Sequence, residues 1–141
     1  MIIDPARMTS PNGPTPSHPV VMDTLTEATE AELELVAMFG ATSFDVFHVG
    51  DTFEEQFDDA SDLRGHLASM AGELQSEFFE RDLFEGLLPT DDRVKVTTVE
   101  GESVTYVEVF CDQRGMLLAV DPDASVPPLA EAASKLLGGS I

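Results

Sequence analysis

Three apolar runs toward the C-terminus are joined by connections too short for anything but reversal. Val94, Val96 and Thr98 alternate with Lys95, Thr97 and Val99. Glu100-Gly101-Glu102 then turns the chain, Val104 to Cys111 returns, and beyond the turn Asp112-Gln113-Arg114-Gly115 comes Met116 to Val120. Parallel strands need a crossover of about a dozen residues or more, so turns this short make neighbouring strands antiparallel. The remaining segments must cover this meander. Directly after it, "DPDASVPP" leads into Leu129, Ala132, Ala133, Leu136 and Leu137 at helical spacing, with Pro128 suited to a first turn and Gly138 to a helix end.

Upstream, "TLTEATEAELELVAMFG" places Thr24 and Glu27 as a capping box, puts Leu25, Ala28, Leu35, Val36 and Phe39 on one helical face, and ends at Gly40. This predicts a first helix from Thr24 to Phe39. "SFDVFHVGDTFEEQF" reads as a hairpin: Phe44, Val46 and His48 alternate with Asp45, Phe47 and Val49, Gly50-Asp51 turns, and a short strand runs through Phe53 and Phe57. A second, long helix is predicted from about Ala60 to Phe84. The order is α-β-β-α-β-β-β-α, an α+β domain around one central five-stranded antiparallel sheet. Residues 1–22 carry five prolines (Pro5, Pro11, Pro14, Pro16 and Pro19) and read as a disordered tail, leaving 23–141 as a single domain.

The long helix carries two unlike faces. Leu63, Leu67, Met70, Leu74 and Phe78 form an apolar stripe. Opposite lie Gly65, Ala68, Ser69, Gly72 and Ser76, all small, with Phe79 at one edge. A glycine inside a helix costs about 1 kcal/mol relative to alanine, and a solvent face in an acidic chain should collect charge instead. Tolerance on a solvated face is the plainer explanation. The sharper one is a closely approaching helix, most simply from a second copy about a two-fold axis.

No recognisable catalytic or cofactor motif is present. There is no G-x-x-x-x-G-K-[ST], G-x-S-x-G, H-E-x-x-H or C-x-x-C, and Cys111, the single cysteine, sits in an apolar run where a buried thiol is expected. His18 and His48 have no nearby ligand partner in sequence. The acid pairs Glu54-Glu55, Asp58-Asp59 and Asp91-Asp92 do not match a D-x-D-x-D-G calcium loop. The chain is read as non-enzymatic, with no catalytic, cofactor or metal residue assigned.

Charge limits the partners. With 27 acidic residues against seven basic ones the net charge is −20, lysine occurs only at positions 95 and 135, and the acids are spread along the chain. Nucleic acid is excluded as a partner by the lack of a basic stripe. No apolar run approaches the roughly 18 residues of a membrane span. The composition resembles that of cytosolic proteins from salt-in halophiles, haloarchaea above all, and a cytoplasmic location is expected. A nucleic-acid mimic, which would concentrate its charge on one face, is the rival reading.

The ending "GMLLAVDPDASVPPLAEAASKLL" resembles the final strand, corner and closing helix of the roadblock/dynein light chain domain family, which is related to longin and profilin-like folds. "GATSFDVFHVGD" is similar to that family's opening hairpin, and the long helix to its dimerising helix; "HVGDTFEEQF" departs from the usual D-x-x-G-L turn. The resemblance implies a homodimer or heterodimer through Gly65, Ala68, Ser69, Gly72, Ser76 and Phe79. It also implies a role as adaptor or regulator, binding a Ras-like small GTPase or a larger assembly. The alternative is a small-molecule sensor on a PAS-like or profilin-like sheet, with Phe44, Phe53, Phe57 or Tyr106 lining a cavity.

If the acidity is an adaptation to salt, diluting KCl from 1 M to 0.01 M lengthens the Debye length from about 3 Å to about 30 Å and exposes carboxylate repulsion. The melting temperature is expected to fall steadily along that series. A flat or rising profile in thermal denaturation removes the halophilic reading.

Overall fold

In the computed structural model, residues 17–40, 42–87, 94–111 and 114–138 are described, with the backbone alone for 77–87 and for 94. The elements are α1 (His18–Ala28), β1 (Leu33–Gly40), β2 (Phe44–Val49), α2 (Asp51–Glu54), α3 (Ala60–Leu87), β3 (Val94–Glu100), β4 (Thr105–Cys111), β5 (Arg114–Val120) and α4 (Val126–Leu136). The five strands form one sheet in the order β2-β1-β5-β4-β3. All neighbours run antiparallel, so the α+β class and the single antiparallel sheet agree with the sequence reading.

Both middle strands are apolar on their two faces, so each face needs its own cover. On one face, Val21 and Leu25 of α1 and Leu129, Ala130 and Ala133 of α4 pack over Val36, Met38, Val107, Val109, Leu118 and Val120. On the other, Phe53 of α2 and Leu63, Leu67, Ala71 and Leu74 of α3 pack over Leu35, Ala37, Phe39, Val46, Phe110, Leu117 and Ala119. The result is three layers, with α1 and α4 below the sheet and α2 and α3 above it.

Several assignments differ from the sequence reading. The expected first helix is cut in two: α1 ends at Ala28, and Leu33–Gly40 is a strand at the heart of the sheet. The expected capping box does not form, since Thr24 lies inside α1 and its hydroxyl donates to the Val20 carbonyl at 2.7 Å. Pro19 sits in the first turn of α1, where its missing N–H costs nothing. Residues 18–22 therefore belong to the folded body and not to a disordered tail, with Val21 fully buried. Residues 1–16 lie outside the described set. The expected strand through Phe53 and Phe57 is replaced by α2, a single helical turn that begins after Gly50 and carries Asp51 and Glu54 in its first turn. The observed order is helix, two strands, short helix, long helix, three strands, helix.

A bulge explains much of this. Leu33 pairs with Val120 and Leu35 with Ala119 across β1 and β5, leaving Glu34 as the extra residue. Leu33 thus points to the α1/α4 face and Leu35 to the α3 face, two residues apart on opposite sides. Glu34 is buried, and its carboxylate accepts the Phe53 N–H at 3.0 Å while its carbonyl accepts the Gly50 N–H at 2.8 Å. The extra residue of the bulge becomes the anchor for the start of α2. A Cβ at Gly50 would lie 2.6 Å from that carboxylate oxygen and 3.0 Å from the Leu33 carbonyl oxygen, so any larger residue would have to displace the Glu34 side chain.

The corner Asp121-Pro122-Asp123-Ala124 closes the sheet onto α4. The Ala124 N–H donates to the Asp121 carbonyl at 3.0 Å, and the Asp123 N–H to the Asp121 carboxylate at 2.9 Å. Pro127 and Pro128 fill the first turn of α4, and Gly138 just past its end takes a φ of 87°.

Phe39 packs over Gly115, its cross-strand partner, and meets the Phe110 ring edge-on at a centroid distance of 5.4 Å. A Cβ on residue 115 would lie 2.5 Å from the Phe39 ring. Gly115→Ala is expected to destabilise the fold by about 1 to 3 kcal/mol through overpacking. Phe39→Leu in the same chain should recover part of that loss. Additive losses in a double-mutant cycle by chemical denaturation would show that the two residues do not interact.

Candidate interaction site

The long helix α3 is started by a side chain: the Asp59 carboxylate accepts the Asp62 N–H at 2.9 Å. From there Leu63, Leu67, Ala71 and Leu74 turn into the core, with Met70 partly buried beside them. Gly65, Ala68, Ser69, Gly72 and Ser76 lie on the opposite, solvent side and are all exposed. Nothing stands within 4 Å of the position a Cβ would take on Gly65 or Gly72. The Ser76 hydroxyl donates back to the Gly72 carbonyl at 3.1 Å, which satisfies it within the helix. Five of the six residues expected at an interface thus share one open face. The side chains of Phe79 and of Phe78 lie outside the described residues.

A second open surface adjoins it. β3 ends the sheet, and among the described residues it pairs with β4 alone. Val96 is 40 % and Val99 55 % exposed, on opposite faces of this strand. An unpaired edge of this kind is a template for another strand, and Lys95 is the sort of charged residue that discourages indiscriminate pairing.

Between α3 and the β3–β4 pair runs a groove of about 290 Å³, lined by His66, Met70, Glu73, Leu74, Val99, Tyr106, Glu108 and Leu117. Three of these residues, His66, Met70 and Glu73, occupy one ridge of α3 at i, i+4 and i+7 spacing, on the flank between its buried and small-residue faces. Val99 and Tyr106 are direct cross-strand partners. Burial pushes the Tyr106 phenol above its ordinary value, so it stays protonated at neutral pH. This groove was missed by the sequence reading apart from Tyr106, because one wall needs the pairing of β3 with β4 and the other the packing of α3 against the sheet.

The aromatic residues proposed for a sensor cavity go to different places. Phe44 and Phe53 are core residues, and Phe57 packs partly against that core. The Phe57 ring also meets that of His66 at a tilt of 46°, with centroids 5.1 Å apart. An open depression of about 640 Å³ lies beside α2, lined by Asp51, Glu54, Glu55, Asp58, Asp59 and Arg64 among others. No three His, Cys, Asp or Glu side chains converge as metal ligands among the described residues. Asp91-Asp92 falls outside those residues.

The remaining titratable candidates are structural. His48 Nε2 of β2 sits 2.9 Å from the Leu33 carbonyl of β1, linking two strands, and His18 Nε2 of α1 sits 2.6 Å from the Phe47 carbonyl, tying that helix to the sheet. Cys111 is buried in β4. No helix among the described residues is long and apolar enough to cross a membrane.

Asp45 is an exception on the sheet. It lies opposite Met38 on the edge strand β2, 6 % exposed, and burial pushes its carboxyl above the ordinary range. A raised folded-state value means that the protonated form favours folding, and this contribution is lost as pH rises through that value. At neutral pH the buried charge opposes the fold. Asp45→Asn is therefore expected to stabilise the protein at pH 7, with the gain shrinking as pH falls toward about 4, the ordinary carboxylate range. Denaturation at the two pH values in the same molar salt measures this; a variant less stable at pH 7 would show that the carboxylate has a favourable partner.

No family model, no curated protein and no solved structure matches this chain.

Proposed function

We propose that this chain is a non-catalytic adaptor or regulator that acts as a dimer on a roadblock-like scaffold and engages a Ras-like small GTPase or a larger cytosolic assembly. One observation carries the reading. The small residues of α3 are gathered on an exposed face with open space above both glycines, although a helix gains stability when such positions hold alanine or charged residues. Small side chains let two helix axes approach at or below the usual separation of about 8 to 10 Å. Val99 of the adjacent β3 edge, on the same side of the sheet as α3, lines a groove beside that helix. The placement of α1 and α4 on one face and α3 on the other is compatible with the family resemblance, since it leaves the long helix free along its outer side.

The sensor reading is favoured only by the groove beside Tyr106, whose volume of about 290 Å³ is at the lower limit of sites that enclose a drug-sized ligand.

Gly72→Leu separates a packed face from a solvated one. Within a single chain the new side chain meets nothing, and helix propensity improves by up to about 1 kcal/mol. Across a two-fold helix contact it clashes. The expected outcome in molar KCl is a dimer for the native sequence and a folded monomer for the variant, read by light scattering and circular dichroism. A native monomer, or a variant that remains dimeric, refutes the assembly. With the same proteins as bait, recovery of a Ras-like GTPase by the native chain and its loss with the variant would support the regulatory role.

A further inference from the structure

The groove between α3 and β3–β4 has a chemistry that the dimer reading does not use. Its floor is apolar: Leu74 and Leu117 are buried at 4 % and 2 %, with Met70 and Val99 at the sides. A tyrosine lies in one wall, the exposed Glu73 stands on the α3 side, and no Lys or Arg lines it among the described residues. An apolar trough bordered by a carboxylate and an aromatic ring is complementary to a group with an aliphatic stem and a cationic head. Lysine and arginine both have that form. Arginine fits better, because its planar guanidinium stacks on an aromatic face and offers paired donors to a carboxylate.

The size and position of the groove identify the source. At about 290 Å³, and open to solvent along its length, it holds a protruding side chain more readily than it encloses a separate ligand. Its Val99 belongs to the unpaired edge strand β3. An extended segment added to that edge beside Val99, at the end away from Lys95, would carry alternate side chains over the groove. The chain's net charge of −20 favours a basic partner and speeds its encounter.

We infer that this groove is a docking site for an arginine side chain presented by an extended basic segment of a partner protein. The site rests on the groove and the β3 edge, and stands whether or not α3 makes a two-fold contact. Glu73 receives the guanidinium, Tyr106 stacks on it, and Leu74 and Leu117 cover its stem.

The test uses the full chain in KCl sufficient to keep it folded and the blocked tripeptide acetyl-Val-Arg-Val-amide. The same tripeptide with citrulline, which keeps the shape of arginine and lacks its charge, is the control. Amide chemical shifts of Val99, Tyr106 and Leu117 are expected to move with the arginine peptide, and the citrulline peptide to bind about tenfold more weakly, as for loss of a charge-assisted hydrogen bond. Glu73→Gln, a change at an exposed position, should weaken the arginine peptide by a similar factor. Equal binding of the citrulline peptide, shifts spread evenly over the acidic surface, or no shift at all would each overturn the proposal. Groove signals that move with protein concentration alone in Gly72→Leu, which cannot make the α3 contact, would mean that a second copy occupies the site, which also overturns it.

Discussion

The pairing of β1 with β5 is the constraint on which the rest of the structure depends. Both strands lie inside the sheet, and nearly every residue of each is buried. A sheet that is apolar on both faces is stable only when both are covered. Two short helices, α1 and α4, together cover one face, and the long α3 with the single turn of α2 covers the other. This division of labour leaves α3 on the outside of its layer. Its outer face, the groove at its flank and the edge strand β3 are all consequences of covering the middle of the sheet.

The antiparallel meander and the closing helix were legible in the sequence because their turns are short and their alternation is regular. Residues 33–40 were not. Leu, Glu, Ala and Met are good helix formers, and Leu35, Val36 and Phe39 fall at helical spacing. A strand buried on both faces shows no alternation of apolar with polar residues, and the extra residue at Glu34 shifts the phase of what periodicity remains. Tertiary burial overrode the local preference. The Phe53–Phe57 segment failed for the converse reason: two aromatics four residues apart suit a helical turn as well as a strand, and the buried Glu34 carboxylate that anchors the turn lies far away in sequence.

The small-residue face of α3 could be read directly, because helical geometry alone decides which residues share a side. The groove could not. Its walls come from α3 and from the β3–β4 pair, and only the register of Val99 against Tyr106 places the tyrosine beside Val99. The charge of the chain was equally legible as a total, yet where that charge borders an apolar floor is a property of the fold.

The two central strands also lie far apart along the chain, β1 at Leu33–Gly40 and β5 at Arg114–Val120. Pairing them closes a long loop, and the entropy of that closure is paid before the contacts reward it. During synthesis the apolar segment Leu33–Gly40 emerges long before its partner, and only β2 is close at hand to shield one edge. The hairpin of β1 and β2 therefore keeps one edge without its native partner until β5 has been made.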